Sequence, residues 1–240
     1  RRMLAEDKDF AIACAVPIDA KGITIVTRPA GRPGQAAAKF SAKFAQSVAV
    51  AHFDNVFVPY DRVFIDGEFE AAHLMTTNYA THHRHSCIGA RAGFGDLLIG
   101  AGAMMAEANG LDYEKTPHLR EKMVDLIKIT EGFYACGIAA STMGESDPAG
   151  NYRPDRIYAN IGKLLLANQI YDMHRLAHDV SGGLVVALPS PEEDHNPETA
   201  PMLNDLLRGN PEVSYEQRAN VARFIEDLTA SETGGWYSVI

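Results

Sequence analysis

The sequence is poor in cysteine, in positive charge and in long apolar runs, and each shortage excludes a class of protein. Its 240 residues include three cysteines, Cys14, Cys87 and Cys136, which are too few and too scattered for a disulfide framework, so we expect a cytoplasmic protein. The 22 Lys and Arg residues are outnumbered by 31 Asp and Glu residues, which argues against binding to the phosphates of nucleic acid. The richest apolar run, residues 97–105, is too short to cross a membrane.

Common catalytic and nucleotide-binding motifs are also missing. The sequence has no G-x-G-x-x-G fingerprint, no P-loop and no G-x-S-x-G nucleophile turn, so any nucleotide must be held in another way. The first residues lack the apolar segment of a secretion signal, and the last five residues are Trp236-Tyr237-Ser238-Val239-Ile240 rather than a polar tail. Both ends therefore predict that the chain is a fragment.

The sequence changes character near residue 66. Before it, β-branched or aromatic runs at residues 10–18, 23–28 and 46–58 predict a small antiparallel β module. After it, we predict four helices. The first lies between Gly67 and Asn109, and the second is capped by Thr116 and runs from Pro117 to about Met143. The third runs from about Pro154 to Gly182, and the last begins at the capping box Ser214-x-x-Gln217. Long helices with short connections indicate an antiparallel helical bundle. Residues 187–201 are predicted to form a loop with Glu192, Glu193 and Asp194 in solvent.

The first long helix carries polar side chains at residues 81–91, where apolar ones are expected. At 3.6 residues per turn His83 and Cys87 share one face, whereas Arg84 and Arg91 share a neighbouring face. An imidazole and a thiolate together suit zinc or iron–sulfur ligation. The alternative is that the histidines are surface residues and Cys87 is a small buried hydrophobe, because two donors do not make a closed metal site.

Other candidates are weaker. The third helix ends in Asp179-Val180-Ser181-Gly182-Gly183, whose glycines would let backbone N–H groups approach an anion such as a pyrophosphate, but a glycine pair equally suits a helix C-cap. His174 and His178 lie four residues apart without an acidic partner between them, so we expect an exposed or capping pair. Cys14 and Cys136 are expected to be core residues.

Several stretches together resemble one family of acyl-CoA dehydrogenase-like flavoproteins. They are Phe53-Asp54-Asn55-Val56-Phe57-Val58-Pro59, His83-Arg84 with Ser86, Gly93-x-Gly95-Asp96-x-x-Ile99-Gly100-Ala101, Cys136-Gly137-Ile138-Ala139, Ala149-Gly150-Asn151-Tyr152, and the glycine pair with the later Pro189-Ser190. In combination they are similar to the family of 4-hydroxybutyryl-CoA dehydratase/vinylacetyl-CoA isomerase and 4-hydroxyphenylacetate 3-hydroxylase. The resemblance covers nearly the whole chain, and the dehydratase side is the closer one.

The resemblance implies a fold and an assembly. Residues 1–66 would be part of a small β-barrel domain and residues 67–240 a C-terminal antiparallel helical bundle, so the expected fold class is mainly α and acyl-CoA dehydrogenase-like. A preceding helical domain would be missing. The resemblance also implies a homotetramer with FAD between domains and subunits, in which Asp179, Gly182 and Gly183 lie against the FAD of a neighbouring subunit.

The same resemblance implies an active site in which FAD lies beside a [4Fe–4S] cluster. Two cysteines of the missing domain, a histidine and a cysteine seven residues later would hold the cluster. The histidine is present as His83, but the cysteine position holds Ala90, which cannot bind iron, so the cluster is in doubt. Where the family has Tyr, Lys and Glu, this sequence has Cys87, Arg91 and Val48. Cys87, one turn from Ala90, is a poorly placed substitute ligand.

Three functions stay open at this point. The first is an FAD-dependent dehydratase/isomerase-like enzyme for a short acyl-CoA, with His83, Arg84, Cys87 and Arg91 as its catalytic residues. Moving the double bond needs only a positioned acid/base such as His83, whereas dehydration couples the flavin to Lewis-acidic iron. The second is a reduced-flavin hydroxylase for a small aromatic substrate, which needs no cluster. The third is a non-catalytic helical assembly module.

Overall fold

A computed structural model of the chain describes residues 2–28, 39–44 and 47–239, and this part is mainly helical. Its strands form three small antiparallel sheets of two strands each. β1 (Ile12–Cys14) pairs with β4 (Val63–Asp66), and β2 (Ile23–Arg28) pairs with β3 (Val48–Phe53). β5 (Glu145–Ser146) and β6 (Tyr152–Arg153) form a hairpin between two helices. The described residues contain no closed barrel.

The second predicted strand is confirmed, and the first and third are shorter than predicted. Pro17 lies inside the first predicted strand, 10–18, and cannot donate a ladder hydrogen bond, while residues 5–10 form a 3₁₀ helix. The third strand ends at Phe53 because Asn55 has a positive φ of 50°, which turns the chain. Gln46, where that strand was predicted to begin, lies outside the described residues.

Three long helices carry most of the structure: α2 (Phe69–Ala108), α3 (Pro117–Thr142) and α4 (Arg156–Ser181), numbered after the four-residue α1 (Ser41–Phe44). The predicted bounds are confirmed within two residues. Pro117 occupies the first turn of α3 as predicted, but the side chain of Thr116 makes no capping hydrogen bond. The next helix, α4, does have a side-chain cap: the carboxylate of Asp155 accepts a hydrogen bond from the Tyr158 N–H at 2.9 Å. None of the described helices is long and apolar enough to cross a bilayer.

Contacts along α2 fix the directions of its two neighbours. A Cβ placed on Gly95 would meet Thr130 of α3 and Met173 of α4, and a Cβ on Gly102 would meet Met123 and Val180. From Gly95 to Gly102 along α2, the contacted residue number falls in α3 and rises in α4. Helix α3 is therefore antiparallel to α2, and α4 is parallel to it. The large side chains buried almost completely between these helices and the later helix α6 (Tyr215–Thr229) include Ile88, Leu98, Met105, Leu126, Phe133, Ile170, Met173 and Ile225.

The close approach at Gly95 predicts opposite effects for two neighbouring glycines. A Cβ at Gly95 would lie 2.2 Å from Thr130 Oγ1, whose hydroxyl is already held by the Leu126 carbonyl at 2.9 Å, so we expect Gly95→Ala to reduce the free energy of unfolding by about 2 kcal/mol. A Cβ at Gly93 would meet none of the described atoms within 4 Å, so we expect Gly93→Ala to stabilise α2 by about 0.5 kcal/mol. Urea denaturation measures the free energy of unfolding of both variants. Equal changes in the two variants would contradict the close contact between Gly95 and Thr130.

The remaining helices are α5 (Ala200–Leu206), α6 (Tyr215–Thr229) and α7 (Glu232–Val239). The predicted capping box is confirmed: the Gln217 N–H donates to Ser214 Oγ, and the Ser214 N–H donates to Gln217 Oε1. Near the start of the chain, Ser41 is fully buried and donates from its N–H to Asp227 of α6 at 2.8 Å. This contact ties the segment before β3 to the helices.

The prediction that the acidic loop is fully solvated is wrong for Asp194. Its carboxylate accepts from the Tyr215 hydroxyl at 2.8 Å and pairs with the guanidinium of Arg223, which is only 5% exposed. The hydrogen bond from Arg223 lowers the pKa of Asp194. Arg223 lies on the inner face of α6, so its charge needs a carboxylate from the loop. Glu192, in the same 3₁₀ turn, is exposed as predicted.

Candidate functional site

The polar turn of α2 brings His83 and Cys87 together, as their spacing predicts. Cys87 is buried, with 8% of its surface exposed, and its Sγ atom lies 3.9 Å from both ring nitrogens of His83. The imidazole itself is exposed. One turn earlier, the ring of Tyr79 stacks on it, with centroids 5.7 Å apart and an angle of 17° between the planes. His83 therefore presents its ring to the outer face of α2, between an aromatic ring and a thiol.

The two arginines do not join this group. Arg84 donates from Nη1 to the Asn160 side chain of α4 at 2.6 Å. Arg91 is 6% exposed and lies on the side of α2 that faces the helical core. Each is turned by about 80 to 100° from His83 around the helix axis. Arg84 thereby links α2 to α4, and Arg91 is buried on another side of α2 than the exposed His83 ring.

Three histidines of this turn have three different environments. His85 Nε2 lies 3.1 Å from the Gly137 carbonyl and 3.0 Å from Ser141 Oγ, so contacts with α3 fix its ring. His82 lines a cleft of about 440 Å³ between the first turns of α2 and the β5–β6 hairpin, where Arg153 and Arg156 are balanced by Glu145 and Asp155. Only His83 combines exposure with a held ring. The sequence cluster did not distinguish the three, although their helical angles could have done so.

The glycine pair lies at the other end of the long helices. Gly182 ends α4 with a φ of +75°, and side chains added at Gly182 or Gly183 would meet none of the described atoms within 4 Å. The preceding residue, Ser181, accepts from Asn109 just beyond the end of α2. At 1.5 Å per residue, Asn109 is about 39 Å from His83 along the axis of α2. One chain does not bring His83 and the glycines into a single pocket.

Asp179 is held by neighbouring cations. Its carboxylate accepts from Lys122 Nζ at 2.6 Å and from Arg175 Nη1 at 3.4 Å. The hydrogen bond from Lys122 lowers the pKa of Asp179. This carboxylate therefore links α3 to the last turn of α4, one turn before the glycines.

Metal ligation at α2 is limited by the available donors. Ala90 is exposed and offers only a methyl group. Among the described residues, no group of three or more His, Cys, Asp or Glu side chains is arranged to hold a metal ion. The cluster implied by the resemblance needs a cysteine seven residues after His83, where this chain has Ala90, and Cys87, one turn earlier, is only 8% exposed, so these residues do not fit it.

The prediction of an exposed or capping histidine pair on α4 is wrong. His174 is 7% exposed and packs between the rings of Phe94, at 5.7 Å, and Tyr171, at 6.3 Å. Within the described chain its Nε2 atom has no hydrogen-bond partner. Burial lowers the pKa of His174 from 6.5 to about 4, and the charge of His178 adds to the effect. His178 is half-buried, with Nε2 2.6 Å from Thr229 Oγ1, and burial lowers its pKa too.

The cysteine predictions differ in outcome. Cys14 is exposed, which contradicts its placement in the core, because no described element covers the outer side of β1. Cys136 is partly buried, and its Cβ lies against the position that a side chain at Gly162 would fill. Neither thiol lies in the turn that carries His83.

Family models match almost the entire chain. Residues 1–65 match the N-terminal and residues 72–240 the C-terminal model of 4-hydroxyphenylacetate 3-hydroxylase. The chain belongs to this family. It is 34% identical, over 94% of its length, to the 4-hydroxybutyryl-CoA dehydratase/vinylacetyl-CoA-Delta-isomerase of Clostridium aminobutyricum, of which it covers 49%. The predicted family resemblance is confirmed.

Solved structures of relatives have the same fold. An oxygen-tolerant archaeal 4-hydroxybutyryl-CoA dehydratase from N. maritimus superposes with a TM-score of 0.92 at 35% identity, over 99% of this chain and 48% of that one. The oxygenase component of 4-hydroxyphenylacetate 3-monooxygenase complexed with FAD superposes with a TM-score of 0.85 at 23% identity, over 99% of this chain and 50% of that one. The chain therefore spans about half the length of the relatives it matches.

Proposed function

We propose that the full-length protein is an FAD-dependent enzyme that moves the double bond of a short unsaturated acyl-CoA. The observation that carries this proposal is the combination of an exposed, stacked imidazole at His83 with a methyl group at Ala90. Isomerisation of a vinylacetyl-CoA-like thioester needs a positioned acid/base, whereas loss of hydroxide calls for a Lewis acid. The name of the 34% identical relative includes both activities, and this site favours the isomerase activity.

The proposed reaction uses His83 as the proton carrier. The neutral imidazole removes a proton from C2 of a 3-butenoyl thioester, and the electron pair of the broken C–H bond spreads over C2 to C4 and the thioester oxygen. The imidazolium then returns a proton to C4, so the double bond ends between C2 and C3. An imidazole can accept a proton on one nitrogen and give it back, so His83 can perform both transfers.

Tyr79 and Cys87 limit how the imidazole can be approached. The Tyr79 ring covers one side, and the buried Cys87 thiol lies close to both ring nitrogens. The substrate must therefore approach from the exposed outer face of α2. We propose Cys87 as a catalytic residue through its contact with the ring nitrogens of His83, Arg84 as a residue that holds α2 against α4, and Arg91 as a buried charge beside the site.

We propose that FAD binds against the glycine pair of a neighbouring subunit. The open backbone at Gly182 and Gly183 fits such a group, because an added side chain would occupy empty space there. Asp179, already bound to Lys122 and Arg175, would border that site. When bound, FAD supplies redox chemistry that amino-acid side chains lack. The donors at α2 do not fit a [4Fe–4S] cluster, so no step is assigned to one.

We also propose the domain organisation and assembly of the acyl-CoA dehydrogenase-like fold. Residues 1–66 would belong to a β-barrel, which is supported by apolar side chains left exposed on the sheets, among them Val26, Val50 and Phe64. Residues 67–240 would form the helical bundle. Ile157, Ile161, Leu164 and Tyr171 form an exposed apolar stripe on α4 at helical spacing, which supports packing of subunits into a homotetramer.

The second candidate function is a reduced-flavin aromatic hydroxylase. Ala90 is the observation that favours it, since such an enzyme requires no cluster ligand at that position. It would bind a small phenolic substrate and consume oxygen.

One assay series separates these functions. The full-length protein is purified, its visible spectrum is recorded, and it is mixed with FAD and either vinylacetyl-CoA or, after flavin reduction, 4-hydroxyphenylacetate. The proposal expects flavin bands and formation of the conjugated thioester. Oxygen uptake that depends on the phenol would establish the hydroxylase instead. A colourless tetramer inactive in both assays would leave only the assembly module.

A further inference from the structure

We infer that Tyr79 is a positioning residue for His83, an inference that rests on the proposed function. Tyr79, His83 and Cys87 follow one another at intervals of four residues, so they lie along one strip of α2. The Tyr79 ring is nearly parallel to the imidazole, at 17°, with 5.7 Å between centroids. The Sγ atom of Cys87, one turn later on the helix, lies 3.9 Å from each nitrogen of the same ring.

His83 differs from its neighbours in what holds its ring. His85 is fixed by tertiary contacts, the Gly137 carbonyl and the Ser141 hydroxyl of α3. His83 points to the outer face, and among the described residues the hydrogen-bonding contact of its ring is the weak one with the Cys87 thiol. Its orientation therefore depends on side chains of its own helix, of which Tyr79 offers the large flat surface.

A proton carrier has to present one nitrogen at a fixed position. An exposed histidine without support samples several rotamers, and a wrong rotamer moves the nitrogen away from the substrate. Stacking on Tyr79 favours the rotamer of His83 in which its ring is nearly parallel to the tyrosine ring. The role requires the aromatic ring of Tyr79 but not its hydroxyl.

The test compares Tyr79→Leu with Tyr79→Phe in the FAD-loaded full-length protein. We expect Tyr79→Leu to lower kcat for vinylacetyl-CoA isomerisation about tenfold with little change in KM, because misplacement of a reacting group acts on the chemical step. Tyr79→Phe keeps the ring and should retain the wild-type kcat. The matched control is Tyr134→Leu, which removes an exposed aromatic ring from α3 and should leave kcat unchanged.

A spectroscopic readout separates this inference from the proposed function. In protein labelled at histidine Cε1, the His83 signal is identified by its loss in His83→Gln. We expect that signal to move in Tyr79→Leu, where the ring current of the tyrosine is lost, and to stay in place in Tyr79→Phe. An unmoved signal in Tyr79→Leu, or equal loss of kcat in both variants, would overturn the inference. If wild type has no isomerase activity, the proposed function fails, and the catalytic role of Tyr79 fails with it even where the signal moves.

Discussion

Replacement of His83 by glutamine should lower the isomerisation rate of the full-length enzyme by about 100-fold or more. Loss of a positioned general acid/base typically costs this much, and glutamine keeps a polar side chain of similar reach that cannot carry a proton. Because the imidazole is exposed and stacks on Tyr79 of its own helix, the substitution should not unfold the protein. The measurement is the steady-state conversion of vinylacetyl-CoA, with folding checked by circular dichroism.

The control lies one residue away. His82 points into the cleft beside the β5–β6 hairpin, about 100° around the helix from His83. His82→Gln should therefore keep the wild-type rate. An equal loss in both variants would mean that the polar turn acts through the structure of α2 rather than through one imidazole.

Acidification should weaken the protein through His174, the second large effect. The unfolded chain takes up a proton with a pKa near 6.5, whereas the buried ring stays neutral down to about pH 4. Between these two pH values the unfolded state binds more protons than the folded state. The free energy of unfolding therefore falls as the pH drops from about 7 to about 4. The stability that the neutral His174 contributes is fully present only above that range. Between about pH 7.5 and about pH 5 the loss should be about 2 kcal/mol.

Urea denaturation of wild type and His174→Leu at these two pH values measures the effect. Leucine fills a similar volume between Phe94 and Tyr171 and cannot be protonated. Other titrating groups contribute equally to both proteins, so the difference between the two pH dependences isolates His174. If both proteins lose the same stability on acidification, the ring is not held neutral by burial.

Helix ends were predictable because their signals are local. Pro117 suits the first turn of a helix, Ser214 and Gln217 satisfy each other's backbone groups, and Gly182 adopts a positive φ at little cost. Thr116 shows the limit of such signals. It has the right side chain for a cap, but its side chain makes no capping bond, and only the three-dimensional path of the loop decides this.

The environments of charged and polar side chains depended on partners distant in sequence. Asp194 looked like a solvated loop residue, but Arg223, 29 residues later, binds it. His174 was predicted to be one of an exposed pair, but in the fold Phe94 of α2 packs against it. Neither the spacing nor the composition of the sequence contains these contacts, because they depend on how α2, α4 and α6 meet.

The candidate site was only partly predictable for a geometric reason. The spacing of His83 and Cys87 correctly predicted that they meet, since one helix holds both. The same helix places Arg84 and Arg91 on a neighbouring face, as predicted, where Arg84 binds Asn160 of α4 and Arg91 is buried. Tyr79 was not predicted, because a single aromatic residue on a helix does not reveal in the sequence which ring it will stack against.

The most direct test of His83 as proton carrier is isomerisation in deuterated water. Full-length enzyme with FAD is incubated with vinylacetyl-CoA in D₂O, and the thioester product is analysed by mass spectrometry and NMR. The account predicts a conjugated 2-butenoyl thioester from wild type, with deuterium at C4 in those turnovers in which the exposed imidazolium exchanges its proton with solvent before returning it, and almost none of this product from His83→Gln. Product formed by His83→Gln at the wild-type rate, or no conjugated product from wild type, would contradict it.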